Sequence, residues 1–420
     1  MIITFSKADI KQALSVVSVA LGNAGGRADL DLVSHVVFRP KSLHTYEMLT
    51  ASKFIAASSM LPITTEEEDV TALEPFTIEG KRLQKWLASL PECNITFNYE
   101  SFITTATCDD PDLNGDVEFS SLNPEEFPFW DDELEASKDV YRTSTDRLKK
   151  AFSFSKDFTL SENETAQSPG YCNIQARNGR LISTDVRTVA LVKMPEFENS
   201  ALRIRAINVG SMIKFISSLG DRSVSMLEHE RMFFLKTDEG DVFSVSKDVN
   251  EMPSIKLPTD YKIAYTVQLD TDILQRSLAF LAAAADSNQK NITWISETPN
   301  APKVDGPDGT KVPATVPFTT NEHRITLKME GSNQKSNHVS VKCAATTLLS
   351  ESLMEYLNGV PMVITLESLN KVLANTDKNV ITFEVLPQID MGAKILKGGL
   401  IRVLDEVVVF ERDSASGVEM

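Results

Sequence analysis

No apolar run in the chain approaches the eighteen or so residues of a membrane span. The N-terminal stretch "MIITFSKADI" has no basic region followed by an apolar core, so no signal peptide is expected. Cysteine is scarce: Cys93, Cys108, Cys172 and Cys343 stand far apart without a C-x-x-C pair. That spacing argues against a disulfide framework or a zinc site and for a reducing cytoplasm. His35, His44, His229, His323 and His338 form no ligand spacing. "DDPDLNGD" at Asp109–Asp116 imitates the start of a calcium loop, but the twelfth position from Asp110 is Ser121, not the glutamate that completes such a site. There is no phosphate-binding G-x-x-x-x-G-K-[ST] loop and no G-x-S-x-G elbow. These absences predict no catalysis, no metal and no cofactor. Positive charge is also short: the formal net charge over 420 residues is −17, which at first speaks against nucleic acid.

What the chain does have is internal repetition. An amphipathic helix followed by a strand reads "KRLQKWLASLPECNITF" from Lys81, "GSMIKFISSLGDRSVSM" from Gly210 and "ESLNKVLANTDKNVITF" from Glu367. On one grid Leu83, Met212 and Leu369 coincide, then Trp86, Phe215 and Val372, then Leu87, Ile216 and Leu373. The strand positions Ile95, Val224 and Ile381 follow, then Phe97, Met226 and Phe383. Helical spacing followed by alternation means one buried helix face and a half-buried strand. A second helix recurs upstream of each, in "IKQAL", "LKKAF" and "LQRSL", and each unit closes on a glycine and a short strand. The fold class is therefore α+β: three tandem copies of a unit of two helices packed on antiparallel sheets. "SLNPEEFPFWDD" and "SKDVNEMPSIKLP" read as linkers leaving the first two units, with Phe127, Phe129, Trp130 and Met252 as anchors. The expected domains are 1–135, 136–260 and 261–420, the last with a Pro/Gly/Thr-rich loop or long hairpin near 298–320 and an extension after 405.

The placement of charge reverses the first impression. The six expected helices carry a net +7, which leaves −24 on the rest of the chain. Glutamate is as good a helix former as lysine, so helicity alone does not select cations. If the helices face a common cavity and the strands form an outer wall, the cavity is basic and the exterior acidic. Such a cavity holds phosphates without reading bases. The cations expected to meet DNA are Lys7, Lys11, Lys81, Arg82, Lys85, Arg147, Lys149, Lys150, Lys214, Arg276 and Lys371. The helices of the third unit do not share the excess.

At this point the chain resembles a known family, the bacterial DNA polymerase III beta subunit or sliding clamp. "GGRADL" from Gly25, "VEFSSLNPEEFPFWDD" from Val117 and "LISTDVRTVALVKMP" from Leu181 carry the resemblance, in the family's order and spacing. It implies three clamp domains per chain and a head-to-tail homodimer forming a ring, its twelve helices lining the hole. The implied function is a non-enzymatic processivity factor in DNA replication. It encircles double-stranded DNA without sequence preference, is loaded by an ATP-driven clamp loader and tethers the replicative DNA polymerase. Arg27 matches a family position near the hole. The family's partner-peptide pocket maps onto Thr184, Val186, Arg187, Val189, Pro253, Leu257, Val403 and Leu404. Val186, Arg187 and Thr188 depart from the family's glycine, histidine and arginine, and the linker is two residues shorter, so the pocket's preference is expected to differ. "DEVVVFERDSASGVEM" continues past the family's usual end, with Val407–Phe410 as an extra edge strand or a cover for the pocket. The divergence suits a virus-encoded member, in a bacterial or host cytoplasm, with no membrane association. Three readings stay beside this one: a clamp-like scaffold that does not encircle DNA, a metal-dependent hydrolase or nuclease built on the Asp109–Asp116 carboxylates, and a clamp closed as a trimer, against which three repeats per chain favour two protomers.

Overall fold

The computed structural model describes residues 1–22, 32–64, 73–113, 115–161, 169–185, 188–252, 265–284, 291–297, 303–305, 311–313, 319–330, 336–347, 361–376, 379–385, 389–390, 395–396, 399–403 and 407–411. Among these, one element order occurs three times: strand, helix, four strands, helix, three strands. The helices of the repeats are α1 (Lys7–Val17) and α2 (Gly80–Ser89), then α3 (Thr145–Asp157) and α4 (Ala206–Ser218), then α5 (Thr271–Ala284) and α6 (Leu366–Ala374); a short helix, Asp131–Glu135, lies between the first two repeats. The third repeat also carries two small hairpins outside this order: Lys303–Asp305 with Lys311–Pro313, inside the segment expected as a loop or long hairpin, and Ile389–Asp390 with Ile395–Leu396.

The repeats are equivalent down to single hydrogen bonds. The first helix of each is capped by the residue before it, whose side-chain oxygen accepts the N–H three residues on. Ser6 accepts from Asp9 at 3.1 Å, Ser144 from Arg147 at 3.4 Å and Asp270 from Ile273 at 2.9 Å. Each cap satisfies a donor that the helix start leaves open. The first N–H of each of these helices also donates across the unit, Lys7 to Cys93 O at 3.0 Å, Thr145 to Arg222 O at 2.9 Å and Thr271 to Asn379 O at 2.9 Å. In each case the acceptor precedes the strand that follows the second helix. The core obeys the same grid. Of the fifteen positions aligned above, all but Trp86 are buried, and Trp86 meets Phe119 edge-on at 5.8 Å.

The sheets do not respect the repeats. The chain divides into two compact units, Met1–Ser153 with Glu196–Val249, and Phe154–Pro195 with Asn250–Met420. In the first unit an eight-stranded sheet joins four strands of repeat one (Phe76–Glu79, His35–Ser42, Thr45–Ala51, Ile55–Pro62) to four of repeat two (Val242–Ser246, Met232–Lys236, Ser223–Glu228, Lys138–Ser144). The junction is Ile55–Pro62 against Val242–Ser246, antiparallel, with Val242 opposite Ser58. A separate four-stranded sheet runs Ile2–Ser6, Asn94–Glu100, Ile103–Cys108, Asp116–Ser120. In the second unit, Thr188–Lys193 of repeat two pairs antiparallel with Val407–Glu411 of repeat three. The sequence led to the expectation of an edge strand or a cover for the pocket; Val407–Glu411 instead lies between Thr188–Lys193 and Gly399–Val403. Its apolar run suits a strand flanked on both sides.

The first linker is an anchor. Phe127 and Trp130 are buried with Val37, Leu49, Phe234 and Val242, beneath the junction of the two repeats' strands. Arg39 stacks 4.5 Å above Phe129 and forms a bidentate pair with Asp131 at 2.5 and 2.9 Å. That pairing holds the Asp131 carboxyl below the usual carboxylate range. In the second linker Met252 is buried and its N–H reaches Gln175 Oε1 at 3.3 Å; residues 253–258 lie outside the described residues.

His323 sits at a β-bulge of Thr319–Glu330, opposite Cys343, and is fully buried. Burial pushes its pKa down from 6.5 to about 4. Its contribution to stability is therefore complete above pH 6.5 and declines as pH falls toward 4, by about 2 kcal/mol between pH 6.5 and 5. Urea titrations at pH 7 and pH 5 should show a larger loss for the wild type than for His323→Gln. Equal losses would contradict this account.

Candidate nucleic-acid interface

The helix cations separate into those on exposed positions and those held in buried or half-buried pairs. On α2, Leu83 and Leu87 are buried, which turns Lys81, Arg82 and Lys85 outward. There is no acidic side chain between Gly80 and Ser89, and the Arg82 guanidinium lies 5.2 Å from the centre of the Phe119 ring. On α3 the buried stripe of Leu148, Ala151 and Phe152 exposes Lys149 and Lys150. Lys150 pairs with Asp146 at 3.4 Å, one helical turn away and with both side chains more than half exposed, so water and salt weaken the pair. Lys11 on α1, Lys214 on α4 and Arg276 on α5 are exposed as well. Arg276 Nε donates to Asp272 O at 3.3 Å, which leaves the rest of the guanidinium outward. Lys156, in the last turn of α3, belongs with this set. Its only signal in the sequence is a place at the end of a basic helix.

Three expected contacts are corrected. Lys7 is 4% exposed; its ammonium donates to Leu90 O at 2.5 Å and sits 3.4 Å from Glu92. It neutralises the carbonyl end of α2 rather than meeting a phosphate. Lys371 on α6 is held by Glu367 at 3.0 Å and Asp185 at 3.8 Å, and lies 5.7 Å from the Phe158 ring. Arg147 is half-buried, its Nε 3.2 Å from the buried Glu196 carboxylate. Helical position alone does not separate these cations from the outward ones; partners distant in sequence do. Arg27 lies outside the described residues.

Of the expected peptide pocket, Thr184 and Val189 face each other in the register of Arg180–Thr184 with Thr188–Lys193, and both are buried. Thr184 Oγ1 donates to Thr188 O at 2.7 Å, and Asp185 Oδ1 accepts the Thr188 N–H at 2.7 Å. Thr188 Oγ1 reaches Ser368 Oγ on α6 at 2.7 Å. The strand turn is thus fixed to α6, with Thr184 and Val189 beneath it. Val403 pairs with Val407; Val186, Arg187, Pro253, Leu257 and Leu404 lie outside the described residues.

Exposed lysine and arginine side chains can meet phosphate oxygens, a contact that by itself carries no base sequence. Among the described residues no group of three or more His, Cys, Asp or Glu could hold a metal ion, and no helix is long and apolar enough to cross a membrane.

No protein-family model matches the chain, and no curated protein matches its sequence. Solved structures match over the full length. The DNA polymerase III subunit beta from Pseudomonas aeruginosa shares 13% identity with a TM-score of 0.70, covering 98% of this chain and 99% of that one. Pol III beta of Caulobacter crescentus shares 12% identity with a TM-score of 0.71, over 98% and 99%. The beta subunit of Thermotoga maritima shares 11% identity with a TM-score of 0.70, over 98% of each chain. At such identities the likeness is one of fold: this chain has the fold of the beta subunit from end to end.

Replacing Lys7 by Ala should lower folding stability by about 1–3 kcal/mol, because Leu90 O and the end of α2 lose a charged donor. Lys85→Glu, at an exposed position, should change it by less than about 0.5 kcal/mol. Urea unfolding of the two variants checks this; equal effects would place Lys7 on the surface.

Proposed function

We propose that the chain is a DNA sliding clamp, two copies of which close head to tail around duplex DNA and tether a replicative polymerase. The observation that carries this reading is a rule of strand pairing. Leaving out the two small hairpins of the third repeat, number the strands of each repeat one to eight: the eighth strand of one repeat pairs antiparallel with the fourth of the repeat before it. Val242–Ser246 does so on Ile55–Pro62, and Val407–Glu411 on Thr188–Lys193. The eighth strand of the first repeat, Asp116–Ser120, ends its sheet. The fourth strand of the third, Ser336–Thr347, pairs with Thr319–Glu330 on one side. On the other, Tyr265–Asp270 covers only its Ala344–Thr347 end, among the described residues. A second copy supplies the missing neighbour to each. Applied twice, the rule closes six repeats into a ring.

Exposed apolar side chains support the same contact. Phe102 and Ile103, 55% and 47% exposed, stand at the hairpin beside Asp116–Ser120, and Phe102 adopts a left-handed φ of 65°. A bulky residue in that region is strained. In the third repeat Ile273 and Phe280 on α5 are 40% and 61% exposed.

In this reading the helices line the hole, and Lys11, Lys81, Arg82, Lys85, Lys149, Lys150, Lys214 and Arg276 meet phosphates. Retention is topological, so contacts stay weak and permit sliding, while tethering makes polymerase rebinding intramolecular. Opening the ring falls to an ATP-driven loader, since this chain has no nucleotide loop of its own. Polymerase and loader dock through a peptide pocket near Thr184–Val189 and the final strands. The protein itself performs no catalysis. The three-domain division at residues 136 and 260 belongs to this proposal.

Phe102→Gly removes an aromatic from a left-handed conformation. It should leave the chain as stable or more so, by about 1 kcal/mol, while weakening the dimer at least roughly tenfold. Sedimentation velocity with urea titration separates the two effects; an unaltered dimer would remove this contact from the ring. Reversing Lys81, Arg82, Lys149 and Lys150 to Glu should shorten retention on nicked circular DNA with the dimer intact. Each lost phosphate contact should reduce the log–log salt slope by about 0.9. Unchanged retention and slope would overturn the basic-hole assignment and favour a scaffold that does not encircle DNA.

A further inference from the structure

We propose that Cys93 and Cys108 form a reversible dithiol–disulfide pair, a modification site on the first repeat. Asn94–Glu100 and Ile103–Cys108 are antiparallel with Ile95 opposite Cys108. Backbone pairing continues one step further, Asp109 N–H donating to Asn94 O at 3.1 Å. The Asp109 carboxylate in turn accepts the Asn94 N–H and side-chain amide, each at 2.8 Å. Cys93 therefore follows the strand's alternation onto the face of Ile95 and Cys108, diagonal to Cys108. The two thiols lie within interaction range of each other, and both are half-buried. Cys172 and Cys343, by contrast, are buried.

The environment gives the two sulfurs different parts. Burial, and next the adjoining Cys108 thiol, push the Cys93 thiol up to about 11. Cys93 keeps its proton, so Cys108 opens the exchange. Its thiolate attacks one sulfur of a low-molecular-weight disulfide and releases one small thiolate. Cys93 then attacks the Cys108 sulfur of the mixed disulfide, releasing the second small thiolate, which takes the Cys93 proton. The protein gives up two electrons and two protons, and one small disulfide becomes two thiols. In a reducing compartment such a bond is transient and suits sensing rather than scaffolding.

The bond would join two segments that already carry tertiary contacts. Cys93 O accepts the Lys7 N–H at the start of α1. Cys108 Sγ lies 3.9 Å from Leu113 O, in the turn that leads to Asp116–Ser120. Oxidation would therefore brace the hairpin carrying the end strand. That this strand closes the ring rests on the proposed function; the disulfide itself does not.

The test uses the full chain, incubated with oxidised glutathione, alkylated and mapped by peptide mass, with and without later dithiothreitol. Expected is a Cys93–Cys108 link with loss of two hydrogens, undone by dithiothreitol. Cys93→Ser should instead hold a glutathione adduct on Cys108. Amide exchange across residues 103–120 should slow roughly tenfold in the oxidised protein. A persistent adduct on wild-type Cys108, links to Cys172 or Cys343, or unchanged exchange would each overturn the proposal. Dimer dissociation is measured on both forms. A disulfide that forms and slows exchange without altering dissociation overturns only the coupling to ring closure.

Discussion

A strand edge is a row of backbone donors and acceptors that must find partners, and this requirement organises the molecule. The last strands of the second and third repeats each pair with a strand of the repeat before. Val242–Ser246 completes the sheet begun by His35–Ser42, and Val407–Glu411 completes that begun by Asn173–Arg177. Because the hydrogen-bond ladders cross repeat boundaries, the compact units do not follow the repeats, and the second repeat is divided between them. Phe127 and Trp130 are buried under such a junction, so the linker reinforces what the ladder begins.

In the proposed ring the same requirement accounts for the edges left over among the described residues. Two junctions are made within the chain, and the third would pair Asp116–Ser120 of one copy with Ser336–Thr347 of the other, head to tail. Charged residues on Asp116–Ser120 (Asp116 and Glu118) suit an edge that resists indiscriminate pairing, while exposed Phe102 and Ile103 favour one partner surface.

Charge is organised by burial rather than by helix. A lysine's long apolar stem lets the ammonium reach whatever acceptor the fold brings near. Lys7 finds the end of α2 and Lys371 finds Asp185, and both leave the exposed set. Lys81, Arg82 and Lys85 sit on a helix free of acidic side chains, and the first two repeats carry most of the outward cations. Contact with a polyanion is therefore expected to be uneven around the molecule.

Periodicity alone determined the three-fold repetition, the six helices and nearly every buried position on them. A helix face and a strand face are set by spacing, and apolar residues at 3.6- and 2-residue periods leave one choice of what goes inside. Trp86 shows the limit of that choice, half-buried because Phe119 offers an edge and not an enclosure. Only the tertiary structure decided that Val407–Glu411 is an interior strand, that Lys7 and Lys371 are structural, and that Cys93 lies beside Cys108. These depend on which distant strands share a ladder and which carbonyls end near which cation. Such pairings are made between segments whose local patterns are alike, so the local pattern cannot rank them.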